Sequence, residues 1–453
     1  MPMRAIPQAT ANRRESDIYR IACFISANPN CTSNFVIQSI EGLSSTAKAT
    51  CLNHINAAIG WGWVVREGEL KGSTYRGTPE FKHAVSLYLL RQNRSSQSKI
   101  GYNSDFLAEY KPNTDFLLSA SQLSRLHRIN AHGYYDMRSE EMKPAARRFM
   151  TDISFHSSTI EGVNAKYADT IAFLEEGIQT QHLSLTDATI LRNHYNTIRM
   201  ILEGTHFPEQ PGDVCVSEYD IRCIHACISD GLLRERHMQG RLRHTGVEIT
   251  GSRYIPLSNP VTIELHFKEI IAKANRIKDP WEKSFFLMAH LPYLQPFTDC
   301  NKRTARLACN IPLLSNGAMP ISWIDVDKTE YADATMSLYE HNSCFGLGEL
   351  YCQAYERSVE RFELNYKSRE PDRVEILYAK EISQTIKMAI VENTDDHIPA
   401  NVLPEHRAAF VKVTDEILEA IKENEMVAGP YRIAQNEVQR WRNSKADENQ
   451  PKE

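Results

Sequence analysis

The chain has 453 residues, 42% of them hydrophobic and 24% charged, with a formal net charge of −5 and a pI near 6.4. That length allows two or three domains with cores of their own, and the charge balance argues against a protein that generally coats nucleic acid. No run of about eighteen apolar residues offers a membrane span, and the N-terminal MPMRAIPQATANRRESD lacks the apolar stretch of a secretory signal. The expectation is a cytoplasmic protein with no membrane partner, whose ten cysteines are reduced and mostly buried.

Residues 1–16 are polar and read as disordered. From Asp17 the pattern becomes compact. DIYRIACFISANPN is an amphipathic helix closed by Asn-Pro-Asn, CTSNFVIQSI a second helix ended by Gly42, and Ser44-Ser45 caps a third, STAKATCLNHINAAIG. WGWVVREGELKGSTYRG then gives two short strands about a Gly-rich turn. Three helices followed by a hairpin is the order of a winged helix, placed at 17–80. Its third helix would offer Lys48, Thr50, Asn53, His54 and Asn56 to DNA, with Lys71 and Arg76 on the wing. The same module also suits protein docking or dimerisation.

Residues 81–113 read as a connector, most linker-like at Arg94–Ser98. From 114 to 365 helical periodicity is sustained, so the fold class is mostly α. Candidate helices include KPAARRFMTDISFHSSTIEG, DATILRNHYNTIRMILEG and SEYDIRCIHACISDGLL. Cys223, His225 and Cys227 raise the idea of a metal site, but His225 would leave the face shared by the two cysteines, and helix packing is the simpler account. Residues 240–260 show two β-prone runs, HTGVEI and SRYIPL, about Thr250-Gly251, which reads as a hairpin. SWIDVD suggests a short strand, and Tyr331, Tyr339, Tyr351 and Tyr355 read as core packing. Residues 366–445 form a small helical unit or an oligomerisation arm, which leaves a homo-oligomer open, and 446–453 form a tail.

The richest stretch is HLPYLQPFTDCNKRTAR, residues 290–306. It reads as a helix end, a tight loop and a new helix from about Asn301 to Ser315. A helix start presents unpaired N–H groups to anions. Arg303 and Arg306 are three apart and share a face, and guanidinium forks grip phosphate oxygens in pairs. Asp299 suits a hard cation such as Mg²⁺ held jointly with phosphates. Charge spacing alone favours the simpler account of an Asp cap with two arginines bridging to surface carboxylates.

The residue order distinguishes these readings. Pro296, Phe297, Asp299, Asn301, Arg303 and Arg306 resemble the Fic signature, a histidine followed by P-F-x-[DE]-x-N-x-R-x-x-R, and Asn301-Lys302-Arg303-Thr304-Ala305 looks like its Doc branch. The resemblance implies transfer of AMP from ATP to a protein hydroxyl. It implies that Asp299 holds Mg²⁺ and that Arg303 and Arg306 clamp the β- and γ-phosphates. Asn301 and the loop at Thr298, Cys300 and Lys302 would contact the nucleotide, and Phe297 would pack under the loop. The histidine position holds Gln295, whose neutral amide cannot accept the hydroxyl proton near pH 7.

Upstream, Ser157-Ser-Thr-Ile-Glu161-Gly162 resembles the [ST]-x-x-x-E-[GN] inhibitory motif of Fic proteins, on a helix at about 144–162. It implies that Glu161 pairs with Arg306 in the seat of the γ-phosphate. The hairpin, with Thr245, Gly246, Val247, Glu248 and Ile249, resembles the Fic flap, whose strand edge would hold a target protein by backbone pairing. Two functions follow as expectations. One is an autoinhibited protein adenylyltransferase impaired at Gln295. The other is a nucleotide-binding, DNA-associated regulator that no longer transfers.

Overall fold

The computed structural model describes residues 13–40, 48–68, 72–90, 98–130, 135–137, 139, 142–178, 182–203, 215–367, 373–392, 394, 398–431 and 433–448. It is mostly helical. The chain divides into two compact units, Met1–Glu363 and Leu364–Glu453.

In the first unit, helix Arg13–Ala27 begins four residues before the expected Asp17, so 13–16 are helical and not disordered. Helices Ser33–Ser39 and Lys48–Gly60 follow, the former capped by Thr32, whose hydroxyl accepts from Phe35 N–H. The expected cap at Ser44-Ser45 and the turn residue Lys71 lie outside the described residues. Three short strands form one antiparallel sheet in the order Cys31–Thr32, Thr74–Gly77, Val64–Glu67. Gly77 lets the sheet close onto the first helix, because a Cβ there would stand 1.8 Å from Ser26 Oγ. Trp63, stacked on Phe81 at 5.1 Å, fills the centre with Ile18, Ile21, Ile25 and Ile55. His54 is part of that interior and is buried, so it is not offered to a nucleic acid.

The stretch read as a connector opens with a packed helix, Pro79–Leu90, and not with a linker. That helix lies along helix Lys328–His341, where Ser337 Oγ donates to Ser86 Oγ at 2.6 Å. Residues 91–97, including most of the linker-like point, lie outside the described residues.

The helical core is built on helix Pro280–Leu294, which is buried from Trp281 to Leu294. A helix apolar on every side has no solvent face to show, and this one has neighbours all round. Asp279 caps its start through Glu282 N–H, Pro280 occupies the first turn, and the helix stops at Gln295 in left-handed backbone, φ 51°. His290 near its end is a core residue, its ring tilted against Phe106 at 4.6 Å and Phe286 at 4.3 Å.

Three expectations fail here for identifiable reasons. The helix expected from Asn301 to Ser315 is two helices, Asn301–Ala308 and Asn310–Ser315. Pro312 cannot donate to the carbonyl of Ala308 and crowds it, which ends the first helix there. The SWIDVD stretch is a turn, with Trp323 and Asp325 at positive φ, and not a strand. The expected 240–260 hairpin is also absent. Tyr254–Ile255 pairs in parallel with Ile100–Gly101, and no ladder includes residues 244–249 among the described residues.

The second unit is helical, with Arg373–Leu377, Ala379–Val391, Arg407–Glu423 and Gln435–Glu448 packed around Ile386, Phe410, Ile421 and Trp441. The last helix reaches into the expected tail. All ten cysteines are free; six are buried, Cys23, Cys223 and Cys227 are half-buried, and Cys215 is exposed. Among the described residues no helix is long and apolar enough to cross a membrane, and no three His, Cys, Asp or Glu side chains gather as a metal site.

Candidate functional site

The loop 295–301 joins the central helix to helix Asn301–Ala308 through two left-handed residues, Gln295 and Cys300 (φ 60°). Phe297 is fully buried beneath it and stacks face to face on His225, with centroids 3.9 Å apart and planes 7° apart. His225 Nδ1 accepts from Gly240 N–H at 2.9 Å, so Nε2 carries the proton and donates to the Asp299 carbonyl at 3.2 Å. Burial holds this imidazole neutral down to about 4. His225 thus fixes the loop from below and ligates nothing.

Asn301 is 4% exposed and works inside the loop. Its Nδ2 donates to Gln295 Oε1 at 2.8 Å and to Phe297 O at 2.9 Å, while its Oδ1 accepts from Phe297 N–H at 2.9 Å. Gln295 Nε2 in turn donates to Pro292 O at 2.7 Å and to Tyr339 Oη at 3.3 Å. The side chain at the expected base position is therefore held by three groups, Asn301, Pro292 O and Tyr339. The expected run of free amides is partly engaged too, since Phe297 N–H meets Asn301 and Cys300 N–H meets Asp299 Oδ1 at 2.6 Å. The Cys300 thiol is buried, which pushes it up to about 12 and removes it as a nucleophile.

Asp299 and Thr298 face solvent. The Asp299 side chain is 70% exposed, with Oδ2 at 4.0 Å from Arg303 Nη2. A single exposed carboxylate suits Mg²⁺, which keeps its waters and shares phosphate oxygens, and would not suit a cation needing a full protein cage.

Arg306 is wholly buried, and the end of the helix that carries Ser157 and Glu161 supplies most of its partners. Helix Lys143–Ile160 ends with Glu161 at its cap and Gly162 at φ 99°, a conformation that favours glycine. Glu161 Oε1 lies 2.8 Å from Arg306 Nη1, and Oε2 lies 3.1 Å from Lys302 Nζ. Arg306 Nε donates to Ser157 Oγ at 2.9 Å, Nη2 to Ser157 O at 3.1 Å, and Nη1 to Tyr331 Oη at 3.0 Å. Burial pushes the Glu161 carboxyl up, but the charges of Arg306 and Lys302 outweigh it and hold the group down at about 2.

A third helix braces this pair. His194 Nδ1 is 2.9 Å from Ile190 O, a carbonyl that can only accept, so Nε2 is the bare nitrogen and takes the Ser157 hydroxyl proton at 3.1 Å. The order is Arg306 N–H to Ser157, then Ser157 O–H to His194. It requires a neutral His194, and burial holds the ring neutral down to about 3.

The residues likened to a flap, Thr245 to Ile249, form an irregular segment without a partner strand among the described residues, with Thr245, Gly246 and Glu248 exposed and Val247 and Ile249 half-buried. Arg243, fully buried, ties them to the loop. Its Nε donates to Gln295 O and its Nη2 to Leu257 O, both at 2.5 Å, while Nη1 donates to Thr245 O at 2.8 Å. His194 and Arg243 were not singled out from sequence, His225 was weighed only as a metal ligand, and Tyr331 was read only as packing. His225 and Arg243 bind backbone groups of the loop, and His194 binds the Ser157 hydroxyl, each across a long separation.

Residues 215–313 match the family described as Fic/DOC. The chain is similar to protein adenylyltransferase fic-1 of Caenorhabditis elegans, 26% identical over 226 residues, which is 46% of this chain and 42% of that protein. It thus spans about two fifths of the length of this curated relative. Among solved structures it is similar to Fic-1 from C. elegans, at TM-score 0.46 and 21% identity over 55% of this chain and 72% of that one. It is also similar to a Fic domain containing signalling protein from Bacteroides thetaiotaomicron, at TM-score 0.42 and 19% identity over 55% and 98%.

Proposed function

Because residues 215–313 are a Fic/DOC family domain, we propose that this protein is a nucleotidyltransferase of the AMP-transferring kind, held off by its own Glu161. The observation that supports this most directly is the 2.8 Å ion pair between Glu161 and the buried Arg306. An anion placed there competes with the terminal phosphate of ATP for one guanidinium.

With Glu161 displaced, Arg303, Arg306 and Lys302 would meet the β- and γ-phosphates, and Thr298 and the loop amides the remaining oxygens, in a loop that Asn301 staples from within. Mg²⁺, held by Asp299 and the phosphates, would neutralise charge developing on the leaving group. A target protein would lie along Thr245, Gly246, Val247, Glu248 and Ile249, its hydroxyl directed at the α-phosphorus. The hydroxyl oxygen forms the new P–O bond, the bond to the bridging oxygen breaks, and pyrophosphate leaves with the electron pair. The hydroxyl proton goes to water or to a phosphate oxygen, because Gln295 cannot take it. Positioning and charge neutralisation then carry the rate.

A second reading is favoured by the inward pinning of Gln295, which resembles a structural amide more than a lost base. In it the protein is a cytoplasmic, nucleotide-binding regulator associated with DNA. The N-terminal module, taken as a winged helix, would present Lys48, Thr50, Asn53 and Asn56 to the duplex.

The test is intact-mass analysis of Glu161→Gly incubated with ATP and Mg²⁺, alongside calorimetry of ATP binding. A gain of one AMP moiety supports the transferase. Tighter ATP binding with no mass gain supports the regulator. Unchanged binding and unchanged mass would sink both.

A further inference from the structure

The inhibitory carboxylate is held by two cations of different character. Arg306 is fully buried, and its N–H groups also reach Ser157 and Tyr331, so its place does not depend on Glu161 alone. Lys302 is different. It stands on the first turn of helix Asn301–Ala308, its side chain is 39% exposed, and its ammonium lies 3.1 Å from Glu161 Oε2. One cation per oxygen fixes the carboxylate more firmly than a single partner, around which the group could swing.

We propose that Lys302 is an exchangeable lock: it holds Glu161 in the inhibited state and transfers its ammonium to the polyphosphate when a nucleotide enters. The chemistry supports a lysine in this role. An ammonium on four methylenes re-aims its three donors cheaply, whereas a buried guanidinium is fixed by the fork it fills. The same residue therefore opposes nucleotide binding through Glu161 and favours it through the phosphates, so its net effect depends on whether Glu161 is present. Lys302 also draws the Glu161 carboxyl down together with Arg306, which agrees with the contact being electrostatic and not incidental.

This inference rests on the reading of 298–306 as a polyphosphate site opposed by Glu161, and the experiment separates the two. ATP affinity is measured by calorimetry on four full-length proteins: the parent, Lys302→Ala, Glu161→Gly and the double variant. Lys302 is part-exposed, and thermal melts confirm that each variant folds. In the Glu161→Gly background, Lys302→Ala weakens ATP binding, because a phosphate ligand is lost. In the parent background the same change weakens it less, or tightens it. The two effects differ by roughly fivefold or more, as expected for groups in direct contact.

An equal factor in both backgrounds overturns the lock while leaving the site reading intact. If Glu161→Gly itself leaves ATP affinity unchanged, the site reading fails and the lock falls with it. A second readout needs no nucleotide. Carboxyl NMR should show Glu161 titrating at higher pH in Lys302→Ala than in the parent, and an unmoved midpoint also overturns the proposal.

Discussion

At the scale of single residues, position 295 governs how much chemistry the site can perform. Its left-handed backbone tolerates histidine, one of the few side chains enriched there. In a Glu161→Gly background, Gln295→His is expected to raise self-modification with AMP by about 10²–10⁴, the usual contribution of a positioned base. Intact-mass time courses measure this directly, and a flat comparison would move the defect elsewhere. The candidate residues of the loop were legible in the sequence because their spacing within one short loop and helix start is itself the signal. The bracing residues were not. His194 reaches Ser157 across 37 positions and His225 reaches Asp299 across 74, so no local pattern marks them. Cys300 and Asn301 were misjudged in one respect: their place in the loop was right, but burial turned the thiol inward and set the amide to stapling the backbone.

At the scale of elements, the flap shows where alternation misleads. HTGVEI has the composition of a strand, but a strand exists only with a partner to pair with, and here Tyr254–Ile255 pairs with Ile100–Gly101 instead. What shapes the segment is a buried arginine that no β-propensity registers. Replacing Arg243 with Met would leave three carbonyls without their donor and cost on the order of 3 kcal/mol or more in stability. It should also open residues 244–251 to limited proteolysis well before global unfolding. Cleavage at the parental rate, with unchanged urea midpoints, would show that the clasp is dispensable. The Pro312 break was readable in principle, since a proline inside a helical pattern limits the helix upstream. The turn at Trp323 and Asp325 was not, because neither residue announces positive φ.

At the scale of the whole molecule, buried imidazoles set the response to acid. His194 and His290 stay neutral down to about 3 and His225 to about 4, all below the ordinary 6.5. The unfolded chain therefore binds more protons than the folded one between these values. Stability is full above pH 6.5 and falls as the pH drops towards 4, by up to about 1.4 kcal/mol per pH unit for each ring. Glu282, which burial pushes up to about 7, acts in the opposite sense between about 4.5 and 7 and blunts the slope without reversing it. Urea midpoints at stepped pH values test this, and a midpoint that rises on acidification contradicts it. Glu161, held down at about 2, gives up its stabilising effect only below about 4.5, so mild acid does not release the inhibitory pair.

The complete burial of Arg306 bears on how the protein should be handled in solution. A guanidinium cannot shed its charge, so a variant lacking its carboxylate carries an interior cation with hydrogen bonds but no counter-ion. Such a protein scavenges small oxyanions from its buffer. Glu161→Gly should melt at a higher temperature in inorganic phosphate or sulfate than in chloride at matched ionic strength, while the parent barely distinguishes them. Nucleotide titrations in phosphate buffer would then understate the variant's affinity.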